Sequence, residues 1–155
     1  MNQDLSPLSL MFQPFKKYAD FSGRATRMEY WLFTLFNSIL ITIPVFTGLI
    51  LLLIGEETRE EALQVVGAII IGLGFLVAMA TFIPMIAVTI RRLHDTNRSG
   101  WFYLLSIIPI VNYIGSIVLL VFYCLDGDAG PNQYGPDPKG RGGPSLDTDI
   151  VDIFE

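Results

Sequence analysis

Charge is missing from most of this chain. Its 25 Asp, Glu, Lys and Arg residues among 155 are confined to four short stretches, and the intervals 30–54, 62–90 and 99–125 hold none. An average soluble domain is about 25% charged; here the share is 16%, and its segregation excludes an ordinary soluble enzyme. Cysteine and histidine are equally scarce, with one of each, Cys124 and His94. A lone cysteine excludes an intrachain disulfide and a cysteine-based metal site, and a lone histidine leaves a hydrolytic metal centre short of ligands. A basic surplus is absent too. The net charge of −5 provides no footprint for nucleic acid, which needs a clustered basic face. The amino terminus lacks a basic region followed by an apolar stretch and a small-residue cleavage site, so the first apolar run is expected to stay as an anchor.

What is present is hydrocarbon. A transmembrane helix needs about 20 mostly apolar residues, and each charge-free interval exceeds that. The fold class expected is an all-α membrane protein with three hydrophobic segments, at about 30–54, 62–90 and 100–125. Residues 1–138 form one membrane domain on this reading, and 139–155 an acidic tail disordered in isolation. Ahead of the first segment, Phe12, Phe15, Tyr18 and Phe21 recur at roughly helical spacing beside Lys16 and Lys17. That pattern fits a short amphipathic helix at the membrane interface, or an irregular arm with a few aromatics. The first span opens at Thr26, followed three residues later by Glu29, the pattern of a capping box. Tyr30 and Trp31 stand where interfacial aromatics belong.

The second segment carries the pairs Ala68/Gly72 and Gly74/Ala78, which let a neighbouring helix approach closely, within the chain or in a homo-oligomer. Pro84 removes one backbone donor near its far end. The third segment is interrupted by Pro109 and Asn112. As one kinked helix it is long enough to cross; as a hairpin turning there, neither arm could cross and the segment would be re-entrant, tolerated only where protein buries it. The kinked span is the expectation. Basic residues then divide seven to three in favour of the arm and the loop 91–98, or nine to one if the tail returns to the arm's side. Either division puts the amino terminus in the cytoplasm.

Three polar clusters flank the segments: FSGRATRMEYW (21–31), RRLHDTNRSGW (91–101) and GDAGPNQYGPDP (127–138). In this order and spacing they resemble the bacterial inner-membrane proteins grouped as domain of unknown function 805, over roughly residues 12 to 138. The resemblance implies a small, multi-pass inner-membrane protein and supplies no activity. Where Thr26, Asn97 and Gln133 stand, the family usually has arginine, glycine and arginine.

Read chemically, the adjacent His94 and Asp95 suggest a membrane enzyme, but further ligands or partners are wanting. The bland alternative has Asp95 capping a turn and His94 bonding locally. Asp126, Asp128, Asn132 and Asp137 fail the EF-hand calcium pattern. Arg24, Arg27, Arg91, Arg92 and Arg98 are expected to meet at headgroup depth, where guanidinium forks suit phosphate, or else merely to set topology and neutralise acids. Glu29, Arg91, Arg92 and Asp95 are expected to form an ion-pair cluster, because antiparallel spans bring them to one interface and an unpaired, partly desolvated carboxylate is costly. No ionisable residue other than tyrosine and Cys124 lies inside a segment, which argues against an ion-coupled transporter. An oligomeric channel lined by Thr34, Asn37, Ser38, Thr42 and Thr47 is the main alternative. No catalytic residue, metal or cofactor is expected. The function expected is a non-enzymatic interaction or accessory module whose arginine face binds anionic lipid headgroups or an unidentified membrane protein.

Overall fold

The computed structural model describes residues 6–141, so the acidic tail from 142 onward lies outside the described residues. Within them the secondary structure is helical, with a single isolated bridge between Asn132 and Gly135 and no strand. Four α-helices and one 3-10 helix follow in order: α1 (Pro7–Lys16), α2 (Arg27–Thr58), α3 (Glu61–Asp95), the 3-10 helix Gly100–Ser106 and α4 (Asn112–Cys124).

α2 and α3 form a long antiparallel hairpin. At 1.5 Å per residue their 32 and 35 residues extend about 48 and 52 Å, and both are apolar enough to cross a membrane. Their turn is made by Arg59, which caps α2 in the left-handed conformation at φ 56°. Glycines set how closely the two helices approach. A Cβ on Gly48 would stand 2.7 Å from the Gly67 carbonyl, and one on Gly67 the same distance from that of Gly48. Gly74 faces Val45 of α2, whereas Gly72 meets nothing and looks outward. The Gly74 side of the small-residue pattern therefore serves packing within the chain.

The arm does form a helix. Ser6 caps α1, whose Phe12 and Phe15 make edge contacts with Phe33 and Phe36 of α2. Just beyond it, the Tyr18 hydroxyl donates a 2.6 Å hydrogen bond to the Ala80 carbonyl. That carbonyl is the one Pro84 deprives of its helical partner, four residues on. Tyr18 thus supplies the donor that the proline removed, and α3 continues to Asp95.

The third hydrophobic segment is not one kinked helix. It breaks at 107–111 into the 3-10 helix and α4, which pack on each other so closely that a Cβ on Gly115 would meet the Leu105 carbonyl at 2.7 Å. Pro109 has no N–H to donate and disfavours helical geometry at the residue before it, so the chain reverses there. The 13 residues of α4 extend about 20 Å, short of the ~30 Å hydrocarbon core. Leu119 and Tyr123 of α4 join Ala25, Tyr30, Phe33, Val88 and Leu93 in the buried core. This core lies at one end of the molecule, where α2 begins and α3 ends.

Candidate functional site

The three polar clusters converge on that end. Thr26 accepts from the Glu29 amide at 3.1 Å, giving the forward half of a capping box. The Glu29 carboxylate turns to Arg91 instead, at 3.3 Å. Both side chains are buried, and Glu29 Oε1 and the two Arg91 Nη atoms have no hydrogen-bond partner among the described residues. Charge alone holds this pair together.

Asp95 is the centre of a tighter knot. Its carboxylate, 1% exposed, accepts from Arg92 at 2.6 Å and from Arg24 Nε at 3.0 Å. Arg24 is also buried. Its Nη1 donates to the Gly130 carbonyl at 2.7 Å and its Nη2 to that of Asp128 at 2.5 Å. The loop 127–138 is thereby strapped over the knot, reinforced by the Asp128 amide on the Asp95 carbonyl at 2.9 Å. Gly127 is where side-chain absence matters: a Cβ there would overlap the Asp95 carboxylate.

Arg92 does a second job. A helix leaves its last four carbonyls without internal partners; in α4 that of Val121 accepts from the Leu125 amide, and the other three are met by side chains from the other two clusters. Arg92 donates to the carbonyls of Phe122 (3.4 Å), Tyr123 (3.3 Å) and Leu125. Arg27 donates to Cys124 and Trp31 Nε1 to Tyr123, each at 3.3 Å. Cations at this terminus also complement the helix dipole. The end of α4 is thus fixed beside the start of α2 and the end of α3.

Of the arginines expected to present a phosphate-binding face, Arg24, Arg91 and Arg92 are therefore turned inward. Arg27 stays exposed, with Asp126 at 3.5 Å. Arg98 is half-buried, its guanidinium 3.9 Å above the Phe122 ring. His94 and Asp95, adjacent in sequence, point apart. Asp95 enters the knot, while the His94 ring stacks on Tyr134 with centroids 3.8 Å apart and places Nδ1 3.2 Å from the Gly23 carbonyl. They do not converge as a catalytic dyad. Asn132 completes the seam by donating to the His94 carbonyl at 2.9 Å.

The acids of the loop are occupied as well. Asp126 pairs with Lys139 and Arg141, and Asp137 with Arg141 at 2.8 Å. Hydrogen bonding to Lys139 holds the Asp126 carboxyl below its ordinary range. Burial pushes Asp137 up, but the Arg141 side chain and the Lys139 and Arg141 amides outweigh it and hold the carboxyl at about 2. Along α2, the hydroxyls of Thr34 and Ser38 bond carbonyls of their own helix.

The family model described as "Protein of unknown function (DUF805)" matches residues 18–136, the stretch that contains all three clusters. The chain belongs to the DUF805 family. Among curated relatives, inner membrane protein YhaI of Escherichia coli (strain K12) is 46% identical over 124 residues, spanning 80% of this chain and 90% of YhaI. Inner membrane protein YhaH of the same strain is 40% identical over 126 residues, spanning 80% and 91%. No solved structure matches the chain. The DUF805 chain is thus a helical membrane protein related to bacterial inner-membrane proteins of unassigned role. Asn97 holds a left-handed φ of 54°, a region that glycine adopts without cost, and its side chain accepts from Gln133 at 3.0 Å.

The Glu29–Arg91 and Arg92–Asp95 pairings were within reach of sequence because they join opposite charges on helix ends. The strap and the α4 cap were not, because their acceptors are backbone carbonyls that carry no sequence signature.

Proposed function

We propose that this protein is a non-catalytic inner-membrane module with two spans, α2 and α3, and a re-entrant third segment that enters and leaves from the same side. The observation that carries this reading is the clamp of Arg92, Arg27 and Trp31 on the last carbonyls of α4, beside the helix end from which the segment departs. A crossing segment would have its two ends a membrane apart. With the tail returned to the arm's side, the basic residues divide nine to one, Arg59 alone lying opposite. The positive-inside rule then gives a cytoplasmic amino terminus and polar end.

The knot's charged side chains are spent on internal contacts, which supports a structural rather than a catalytic use of the polar clusters. On that side the exposed cations are Lys16, Arg27, Lys139 and Arg141, with Lys17 and Arg98 partly so, and Lys139 and Arg141 are paired with Asp126 and Asp137. At a cytoplasmic interface each contributes about 1 kcal/mol of attraction to anionic lipid. The module's role on this reading is to engage anionic headgroups and, through the same face, a membrane protein partner. Replacing Lys16, Lys17 and Arg27 by glutamine should lower the phosphatidylglycerol retained on the protein in nanodiscs and flatten its salt dependence. Unchanged retention would remove the headgroup role.

A further inference from the structure

Beside the knot lies a cleft of about 350 Å³ that none of the ion pairs uses. Each polar cluster supplies a wall: Phe21 from the first, His94 and Trp101 from the second, Tyr134 from the third, with Ile90 and Tyr103 completing it. No Lys, Arg, Asp or Glu lines it. Besides the hydroxyl-bearing Ser99, Tyr103 and Tyr134, its lining includes His94, and the chemistry of the His94 Nε2 edge follows from the other ring nitrogen. The Gly23 carbonyl can only accept, so Nδ1, 3.2 Å away, carries the proton. In the neutral ring Nε2 is then a bare acceptor. It stands close to Gly100, where a Cβ would be 3.5 Å away, and makes no hydrogen bond among the described residues. Tyr134, stacked parallel to the imidazole to within 2°, holds the plane of the ring.

The geometry points to a site for the primary ammonium group of a lipid headgroup. An acceptor nitrogen in a cleft lined by Phe21, Trp101, Tyr103 and Tyr134 favours a group that is both cationic and an N–H donor: aromatic walls attract the charge and Nε2 takes a proton-bearing edge. A phosphate finds no cation there. The volume is at the small end of ligand sites, enough for a headgroup and not for acyl chains. Lipid is favoured over a soluble amine by position. The cleft begins at Ile90, the last residue of an apolar run, and its rim residue Trp101 is 77% exposed, as suits an interfacial aromatic. This inference rests on the membrane placement proposed above.

The test uses the full chain in nanodiscs of fixed phosphatidylglycerol content in which phosphatidylethanolamine is exchanged for phosphatidylcholine, with retained lipids counted by native mass spectrometry. Phosphatidylcholine keeps the cation but has no N–H. Ethanolamine lipid should be retained about tenfold over choline lipid, as one hydrogen bond of about 1.4 kcal/mol requires. His94→Phe, which keeps the ring stack, should abolish that preference and leave phosphatidylglycerol retention unchanged. Trp101→Leu, at an exposed position, should weaken retention of both zwitterionic lipids severalfold. Free ethanolamine at millimolar concentration should compete poorly; full competition would make the ligand a soluble amine and overturn the lipid assignment. Equal retention of the two lipids by the wild-type chain, or a preference that survives His94→Phe, would overturn the site itself. If instead a cysteine at 139 reacts from outside the cell, the membrane placement fails, and that result is separable from the lipid counts.

Discussion

Asp95→Asn should be among the most damaging single changes outside the apolar runs. The carboxylate is 1% exposed and holds two buried guanidiniums, Arg92 at 2.6 Å and Arg24 at 3.0 Å. Asparagine keeps the shape but removes the charge, leaving Arg92 without a counter-ion and Arg24 with Asp137 alone, at 3.9 Å. Removing one partner of a single buried pair costs about 3–5 kcal/mol, and the loss of Arg24's closer carboxylate adds to that. The contrast with the isolated pair sharpens the prediction. Glu29→Leu alone should also cost about 3–5 kcal/mol, but Glu29→Leu with Arg91→Leu should recover most of it, since that pair has no other hydrogen-bonded obligations beyond a long Arg91 Nε contact to Ala87. Asp95→Leu with Arg92→Leu should recover little. Arg24 would keep only Asp137, at 3.9 Å, and the carbonyls of Phe122 and Leu125 would lose their donor. Reversible unfolding in detergent, titrated with a denaturing surfactant, measures both cycles. Coupling within about 0.5 kcal/mol of zero for either pair, or equal recovery in both double variants, would refute the reasoning.

Three further outcomes are expected. Gly127→Ala should detach the 127–138 loop from Asp95, costing at least the 1–3 kcal/mol typical of overpacking and exposing the loop to protease, while Gly130→Ala, with open space around it but a φ of 82°, should cost about 1 kcal/mol. Tyr18→Phe should lose about 1 kcal/mol through the Ala80 carbonyl, and the loss should largely vanish in a Pro84→Ala background, where a helical amide is restored; additive effects would contradict the pairing. The Asp137 carboxyl, held at about 2 against an ordinary 3.8, makes the loop's stabilisation complete above about pH 4 and lost as pH falls through 2, up to about 2 kcal/mol in all. Pepsin cleavage of the loop should rise over that window, and Asp137→Asn should raise cleavage already at pH 4 and flatten the profile.

Absence of charge made α2 and α3 legible, since hydrocarbon length is counted directly along the chain, and Thr26 marked where the first begins. The same counting did not reveal the break in the third segment. Its 27 residues from 99 to 125 satisfy a length criterion however the path turns, and the reversal depends on Pro109 together with the close seating of Gly115 on Leu105. The fate of the arginines was hidden for a different reason. Arg24 and Arg92 look like a phosphate-binding face when only side chains are weighed, but most of their partners are carbonyls of residues 122–135. Likewise His94 finds its ring partner in Tyr134, 40 positions on, through the strap that Arg24 holds in place.

The central claim, that the third segment returns to the side it left, is tested most directly by labelling intact cells with a membrane-impermeant maleimide. In a Cys124→Ser background, single cysteines replace Glu57, in the turn between α2 and α3, and Lys139, beyond the strap. The account predicts that the probe at 57 reacts from outside and the probe at 139 reacts only after the membrane is opened. Labelling at 139 in intact cells, with 57 also labelled, would mean that the third segment crosses, and would contradict it.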